Sequence, residues 1–231
     1  MKTIAIALMA LCSLGATAQQ RLLGGDLSML PKYEAAGTVY RDAKGKPVDA
    51  LNLFRKEGWN AVRLRLFVDP DKAPAENKDE GVCQDLNYVM GFGKRIKDEG
   101  FRLMLDFHYS DTWADPGKQF IPSAWKGASA EALADSVYQY TRRSLEAMKR
   151  AGAEPDLIQV GNEISFGMLW PMAKTLPTED ANWPAFLTML KQGCRACREI
   201  CPKAQIIIHT EQAGNWSNTK AFYDRLEAAR L

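Results

Sequence analysis

The stretch Phe101-Arg102-Leu103-Met104-Leu105-Asp106-Phe107-His108-Tyr109 decides the fold. It is an apolar run of strand length, entered from Gly100 and left through a polar loop. Its polar groups, Asp106 and His108, gather at its C-terminal end. The same design recurs outward along the chain. The run over 156–163 ends in Asn162-Glu163, and the run over 204–209 ends in His209-Thr210-Glu211. Two earlier runs, 21–28 and 60–66, complete a set of five predicted strands. Amphipathic stretches separate them and predict helices over 48–58, 83–99, 129–151, 182–200 and 218–231. Gly100 and Gly152 close two of these helices, and Pro202 stops a third.

Strands alternating with helices imply an α/β fold with a parallel sheet under helices. Two architectures compete, an open doubly wound sheet and a closed barrel. The first usually carries a glycine-rich turn after its first strand, and Gly24-Gly25-Asp26 lacks the spacing of a dinucleotide loop. Polar residues at the C-terminal ends of successive strands are what a barrel active site requires. The expectation is therefore a TIM (β/α)8 barrel. About five βα units are present where closure needs eight, so residues 19–231 are expected to be the N-terminal part of a truncated barrel domain.

Composition narrows the function. The 231 residues are 46% hydrophobic and 25% charged, with 30 basic against 28 acidic side chains and a net charge of +2. No basic field exists to attract nucleic acid or anionic lipid. Residues 1–18 have the form of an export signal: Lys2, an apolar segment from Ile4 to Leu14, and Ala16-Thr17-Ala18 as a small-residue cleavage site. The apolar segment is too short to span a bilayer. The protein is expected to be secreted or periplasmic, without membrane insertion. Cys83, Cys194, Cys197 and Cys201 remain after cleavage, with their pairing open. The last three fall at i, i+3 and i+7, on one face of a helix. Three thiols on one straight helix close a tetrahedral zinc site poorly, so a buried apolar face is favoured.

Period-two alternation puts Asp106 and His108 on one face of their strand, opposite Leu105 and Phe107. Such groups inside a strand are costly unless paired or used. A sugar site, a satisfied polar core and a metal site all fit, although only two histidines, His108 and His209, are available for a metal. Trp113 adds a ring that can stack on a pyranose. Arg63 and Arg65 alternate with Val62, Leu64 and Leu66 and need carboxylate partners, for which Asp26 and Asp106 are candidates. The arginines are read either as structural or as touching substrate. Glu163 points into the mouth of a barrel, with Asn162 able to bond a sugar hydroxyl. Glu211 is either a second catalytic carboxylate or a hydrogen-bond acceptor, the latter favoured.

Together, Gly25-Asp26-Leu27-Ser28, Val62-Arg63-Leu64-Arg65-Leu66, the string from Asp106 to Pro116, Val160-Gly161-Asn162-Glu163 and Ile208-His209 resemble glycoside hydrolase family 53, the arabinogalactan endo-β-1,4-galactanases. The long string from Asp106 is the specific part; an Asn-Glu pair alone would suit a cellulase or mannanase barrel as well. The resemblance implies a (β/α)8 barrel that cleaves β-1,4-galactan with retention. Glu163 is then the acid/base, and the nucleophile is a later strand-end Glu with no matching position here. It further implies substrate contacts at Asp106, His108, Trp113, Asn162, His209 and Glu211, with Asp26, Arg63 and Arg65 as support. Glu211 stands where the family often has Asp. The expected partner is the polysaccharide, with the full-length protein a monomer. No cofactor or metal is expected within this sequence, and any calcium would belong to loops later than these. The alternative is a non-catalytic, galactan-binding barrel fragment.

Overall fold

Leu103, Leu105 and Phe107 lie on one side of β3 (Arg102–Phe107), wholly buried, and this face organises the protein. The computed structural model describes residues 21–78, 81–176 and 181–231; the expected export signal over residues 1–18 lies outside them. The chain runs β1 (Gly24–Asp26), α1 (Leu30–Ala35), α2 (Ala50–Lys56), β2 (Ala61–Leu66), α3 (Ala75–Lys78), α4 (Leu86–Asp98), β3, α5 (Ala130–Arg150), β4 (Leu157–Val160), a small hairpin of β5 (Gly167–Met168) and β6 (Ala173–Lys174), α6 (Trp183–Ile200), β7 (Gln205–Ile207) and α7 (Trp216–Ala228).

β1, β2, β3, β4 and β7 form one parallel sheet in chain order. In sequential order without a reversal, connections of the usual right hand bring the connecting helices to one side of the sheet, where α4, α5 and α6 pack. A doubly wound sheet needs a switch point, and none occurs among the described strands. The sheet is an arc of a (β/α)8 barrel. The helix side is apolar: Val62, Leu64, Leu66, Ile158 and Val160 join the β3 residues at 1% exposure or less. Against them pack Val89 and Ile96 of α4, Val137 and Leu145 of α5, and Phe186 and Leu190 of α6. Each such side chain contributes about 1.5–3 kcal/mol when buried.

Local chemistry sets the helix starts. Asp49 accepts from Asn52 N–H (2.9 Å), Asp85 from Tyr88 N–H (2.7 Å), and Ser129 from Ala132 N–H (3.3 Å). The Asp85 cap is why α4 begins at Leu86 and not at Cys83. Likewise Asn215 caps α7, which starts at Trp216, two residues earlier than predicted. The predicted first strand shrinks to three residues, because the Asn60 side chain, not a strand ladder, holds Arg21 O and Leu23 N–H. The sequence reading passed over α1, α3 and the β5–β6 hairpin, all too short to show a period.

Among the described residues Cys83, Cys194, Cys197 and Cys201 are free thiols. Cys194 and Cys197 lie on α6 and Cys201 caps its end; Cys197 and Cys201 are buried, as an apolar helix face would have them. Burial pushes the Cys194 and Cys201 thiols up to about 11 and raises Cys197 as well. Among the described residues no helix is long and apolar enough to cross a membrane.

Candidate active site

The face of the sheet away from the helices is polar. Parallel register sets Asp26, Arg63, Met104, Leu157 and Gln205 in one layer and Arg65, Asp106, Gln159 and Ile207 in the next, toward the C-terminal ends. Charge pairing follows from this register. Arg63 Nη1 lies 2.8 Å from Asp26 Oδ2, and its Nη2 lies 2.6 Å from Asp106 Oδ2 and donates to Asn162 Oδ1 at 2.7 Å. Arg65 Nη1 reaches Asp26 Oδ1 at 3.1 Å. Both expected carboxylate partners are in place. The planar guanidinium fork of Arg63 therefore spans three strand ends, which an ammonium group could not do.

Gln159 is the hidden centre of the network. Its amide donates to Asp106 Oδ1 at 2.6 Å and to Asn162 Oδ1 at 3.1 Å, and its oxygen accepts from Arg63 at 3.3 Å. Arginine only donates, so the Arg63 contact fixes which end of the Asn162 amide is oxygen. Asn162 Nδ2 then donates to Ala114 O at 2.8 Å, consistent with that orientation. His209 Nδ1 lies 3.0 Å from the same Asn162 oxygen and also faces the Glu163 N–H at 3.4 Å, so the imidazole joins this network to the Glu163 backbone.

Asp106 and His108 meet, but not in the open. Asp106 is fully buried and His108 is 2% exposed. His108 Nδ1 accepts from Ala114 N–H at 3.0 Å, which puts the ring proton on Nε2, 3.0 Å from Asp106 Oδ2, off the line of a good hydrogen bond. The imidazole stands edge-on to Phe67 and Trp113. Trp113, in turn, carries the Arg65 guanidinium 4.5 Å from its ring centre.

An open cleft of about 400 Å³ lies above this network, lined by Arg63, Arg65, Trp113, Asn162, Glu163 and His209 together with Asp115 and Lys118. Glu163 has left-handed backbone (φ 50°, ψ 51°), rare for a side chain of its size. Gly161 makes the preceding turn at φ +84°, where a Cβ would meet Ile164 Cγ2 at 2.8 Å. Ile164 N–H bonds His209 O at 3.0 Å, and Gln119 Nε2 donates to Asn162 O at 2.9 Å. The turn is thus held from both sides. Burial raises the Glu163 carboxyl above the ordinary carboxylate range; Glu211 and Asp115 push the same way, and His209 and His108 oppose. Glu211 stands apart from the cleft lining. Ser165 Oγ donates to its Oε2 at 2.9 Å, while its Oε1 is buried without a partner among the described residues.

All ten residues singled out from sequence therefore lie at the C-terminal mouth of the sheet or directly beneath it. Gln159 and Gln119 were missed. Gln159 carries a signal, a polar residue between Ile158 and Val160 on the Asp106 face of the sheet; Gln119, in a loop, carries none. Among the described residues no group of three or more His, Cys, Asp and Glu is arranged to hold a metal ion.

An arc of parallel βα units with a polar mouth and a partly desolvated carboxyl at a strand end is the arrangement of a barrel of the glycosidase type. The chain belongs to Glycosyl hydrolase family 53, whose family model matches residues 22–230. It is 37% identical over 198 residues to an arabinogalactan endo-β-1,4-galactanase of Cellvibrio japonicus, covering 84% of this chain and 50% of that protein. It is 34% identical over 214 residues to a probable arabinogalactan endo-β-1,4-galactanase A of Neosartorya fischeri, covering 93% and 57%. Among solved structures, a GH53 catalytic domain of Ignisphaera aggregans superposes with a TM-score of 0.81 at 34% identity, over 90% of this chain and 56% of that one. The chain spans about half the length of the curated relatives it matches.

Proposed function

We propose that this polypeptide carries the acid/base half of an endo-acting hydrolase of β-1,4-galactosidic linkages in galactan and type I arabinogalactan. The observation that carries the reading is Glu163: a carboxyl at the mouth of the barrel arc, held by a left-handed turn and kept toward its protonated form by burial. A retaining glycosidase needs such a group about 5–5.5 Å from a second carboxylate. Glu163 delivers its proton to the leaving glycosidic oxygen and later takes one from water. The second carboxylate, by family resemblance, comes from a later strand end that no residue of this sequence matches. Trp113 offers a ring to a sugar face, and Asn162 and His209 hold hydroxyls. Asp106 and His108, being buried, act by positioning Arg63, Asn162 and Trp113. Glu211, outside the cleft lining, acts by holding Ser165 close to Glu163 and not by touching the sugar. Residues 1–18 direct export, and residues 19–231 belong to one catalytic domain.

The test uses the chain extended to the full length of its relatives, assayed by reducing-end release from β-1,4-galactan. Glu163→Gln keeps the shape of the side chain but cannot protonate, and the rate should fall about 10²–10⁴-fold. An aryl galactoside with a good leaving group should suffer less in the first step. Near-normal galactan hydrolysis by Glu163→Gln would remove Glu163 from its role. A second reading is a galactan-binding barrel piece without turnover. The 231-residue chain would then bind galactan without cutting it, and turnover by that chain would point to Glu211 as the second carboxylate.

A further inference from the structure

A second cavity, of about 360 Å³, lies at the same C-terminal mouth as the Glu163 cleft but on the far side of the segment that follows β3. Ser110, Asp111 and Thr112 line it, whereas the next residues, Trp113 to Asp115, line the cleft. Its size is within the range of small-ligand pockets. Two aromatic residues wall it. Phe120 presents its ring there and is 47% exposed. Trp170 is set beside it by a backbone bridge, with Trp170 N–H bonding Gln119 O at 2.7 Å. The indole is fixed in turn: its N–H donates to Phe166 O at 2.8 Å, and Lys174 Nζ covers the ring at 4.2 Å.

The polar side of the cavity is equally preformed. Asp111 spends both carboxylate oxygens on backbone, accepting from Asp69 N–H at 3.1 Å and Ser123 N–H at 2.7 Å. Val68 N–H bonds Ser110 O at 2.8 Å. These bonds tie the loops after β2 and β3 into one rigid wall. The exception is Thr112. It is 1% exposed, and its hydroxyl has no partner among the described residues. A buried polar atom without a partner calls for an explanation, and nothing in the fold supplies one. Lys72 and Lys126 are among the remaining lining residues.

We infer that this cavity is a second sugar-binding site, in which Phe120 and Trp170 pack against the apolar C–H face of a neutral glycosyl residue while Thr112 and the lysines bond its hydroxyls. An apolar ligand would leave the hydroxyl and the lysines unserved, and an anion would face the Asp111 carboxylate. The occupant is a glycosyl unit of the same polysaccharide, held outside the position where cleavage occurs; this identity rests on the proposed function. The site would raise retention on polymer without taking part in chemistry.

The experiment is affinity electrophoresis of the 231-residue chain through gels containing soluble β-1,4-galactan, with glucomannan, xylan and polygalacturonate as parallel gels. Phe120→Ala removes an exposed ring and should leave the thermal melt unchanged; its galactan affinity should drop at least about tenfold. Thr112→Val is nearly isosteric and deletes the unpartnered hydroxyl. It should weaken retention while leaving the fold as stable or more so, which a hydroxyl needed for folding would not do. Unchanged galactan retention in Phe120→Ala overturns the site and leaves the galactanase reading standing. Retention only on glucomannan or xylan, lost in Phe120→Ala, keeps the site and overturns galactan as its polymer. Retention only on polygalacturonate, or on none of the four, overturns the inference.

Discussion

Glu163 combines an unfavourable backbone with a desolvated carboxyl, and both have consequences that can be measured without substrate. Its proton affinity is raised in the folded protein, chiefly by burial. In acid below the unfolded-state pKa both states are protonated and nothing is lost. As pH rises past that point the unfolded chain ionises first, and the native state is progressively penalised until pH exceeds the folded pKa. Glu163→Gln abolishes this penalty. The variant should therefore be more stable than the wild type at about pH 7.5 and indistinguishable from it at about pH 3.5, as read by urea denaturation at the two values. Because the carboxyl is partly exposed, the gain should be small; a larger gain in acid would reverse the sign of the argument. Arg63 works in the opposite sense. Arg63→Met strips donors from Asp26, Asn162 and the fully buried Asp106. Leaving a buried carboxylate uncompensated should cost about 3–5 kcal/mol. Arg63→Lys should recover only part of it in the same denaturation measurement, since one ammonium cannot reach three acceptors.

At the scale of elements, the strands were legible wherever burial on one face imposed a period on the sequence. β2 and β3 show it best: Arg63 and Arg65 against Leu64 and Leu66, Asp106 and His108 against Leu105 and Phe107. From that alternation the pairing of the arginines with Asp26 and Asp106 could be anticipated. What could not be read is what one-dimensional periodicity does not encode. Gln159 matters because register sets it beside Asp106, and Gln119 because a loop folds it under Glu163. The β5–β6 hairpin is held by tertiary contacts and not by propensity. Glycines show the same division. A Cβ on Gly24 would lie 1.9 Å from Ala61 O, so β1 cannot keep its register on β2 if Gly24 is replaced. Gly24→Ala should destabilise by the upper end of about 1–3 kcal/mol. Gly91, exposed on α4, meets nothing within 4 Å, and Gly91→Ala should stabilise by about 0.5–1 kcal/mol through helix propensity. Thermal melts of the two variants decide the point, and equal shifts would show that sheet contact is not what selects glycine at position 24.

At the scale of the whole molecule, the sheet has two ends. Among the described residues β1 pairs only with β2, and β7 only with β4. The burial contrast is plain: every residue of β4 is buried, whereas Gln205 of β7 is exposed and Ile206 and Ile207 are only half-buried. Large apolar groups stand exposed beside both ends, Leu22 and Leu23 next to β1 and Trp216 at the start of α7. An unpaired edge with apolar flanks is a template for another chain. The 231-residue chain on its own should therefore self-associate as concentration rises, as light scattering behind size exclusion would register, and should bind a hydrophobic dye. Hydrogen exchange should follow the same gradient, with β7 amides exchanging at least about tenfold faster than those of β3, which is paired on both sides. A concentration-independent monomer with a single sharp melt and uniform protection across the five strands would mean that this arc is stable without neighbours at its edges. Its stability would then come from the helix side of the sheet alone, where α4, α5 and α6 pack on the buried faces of β2, β3 and β4.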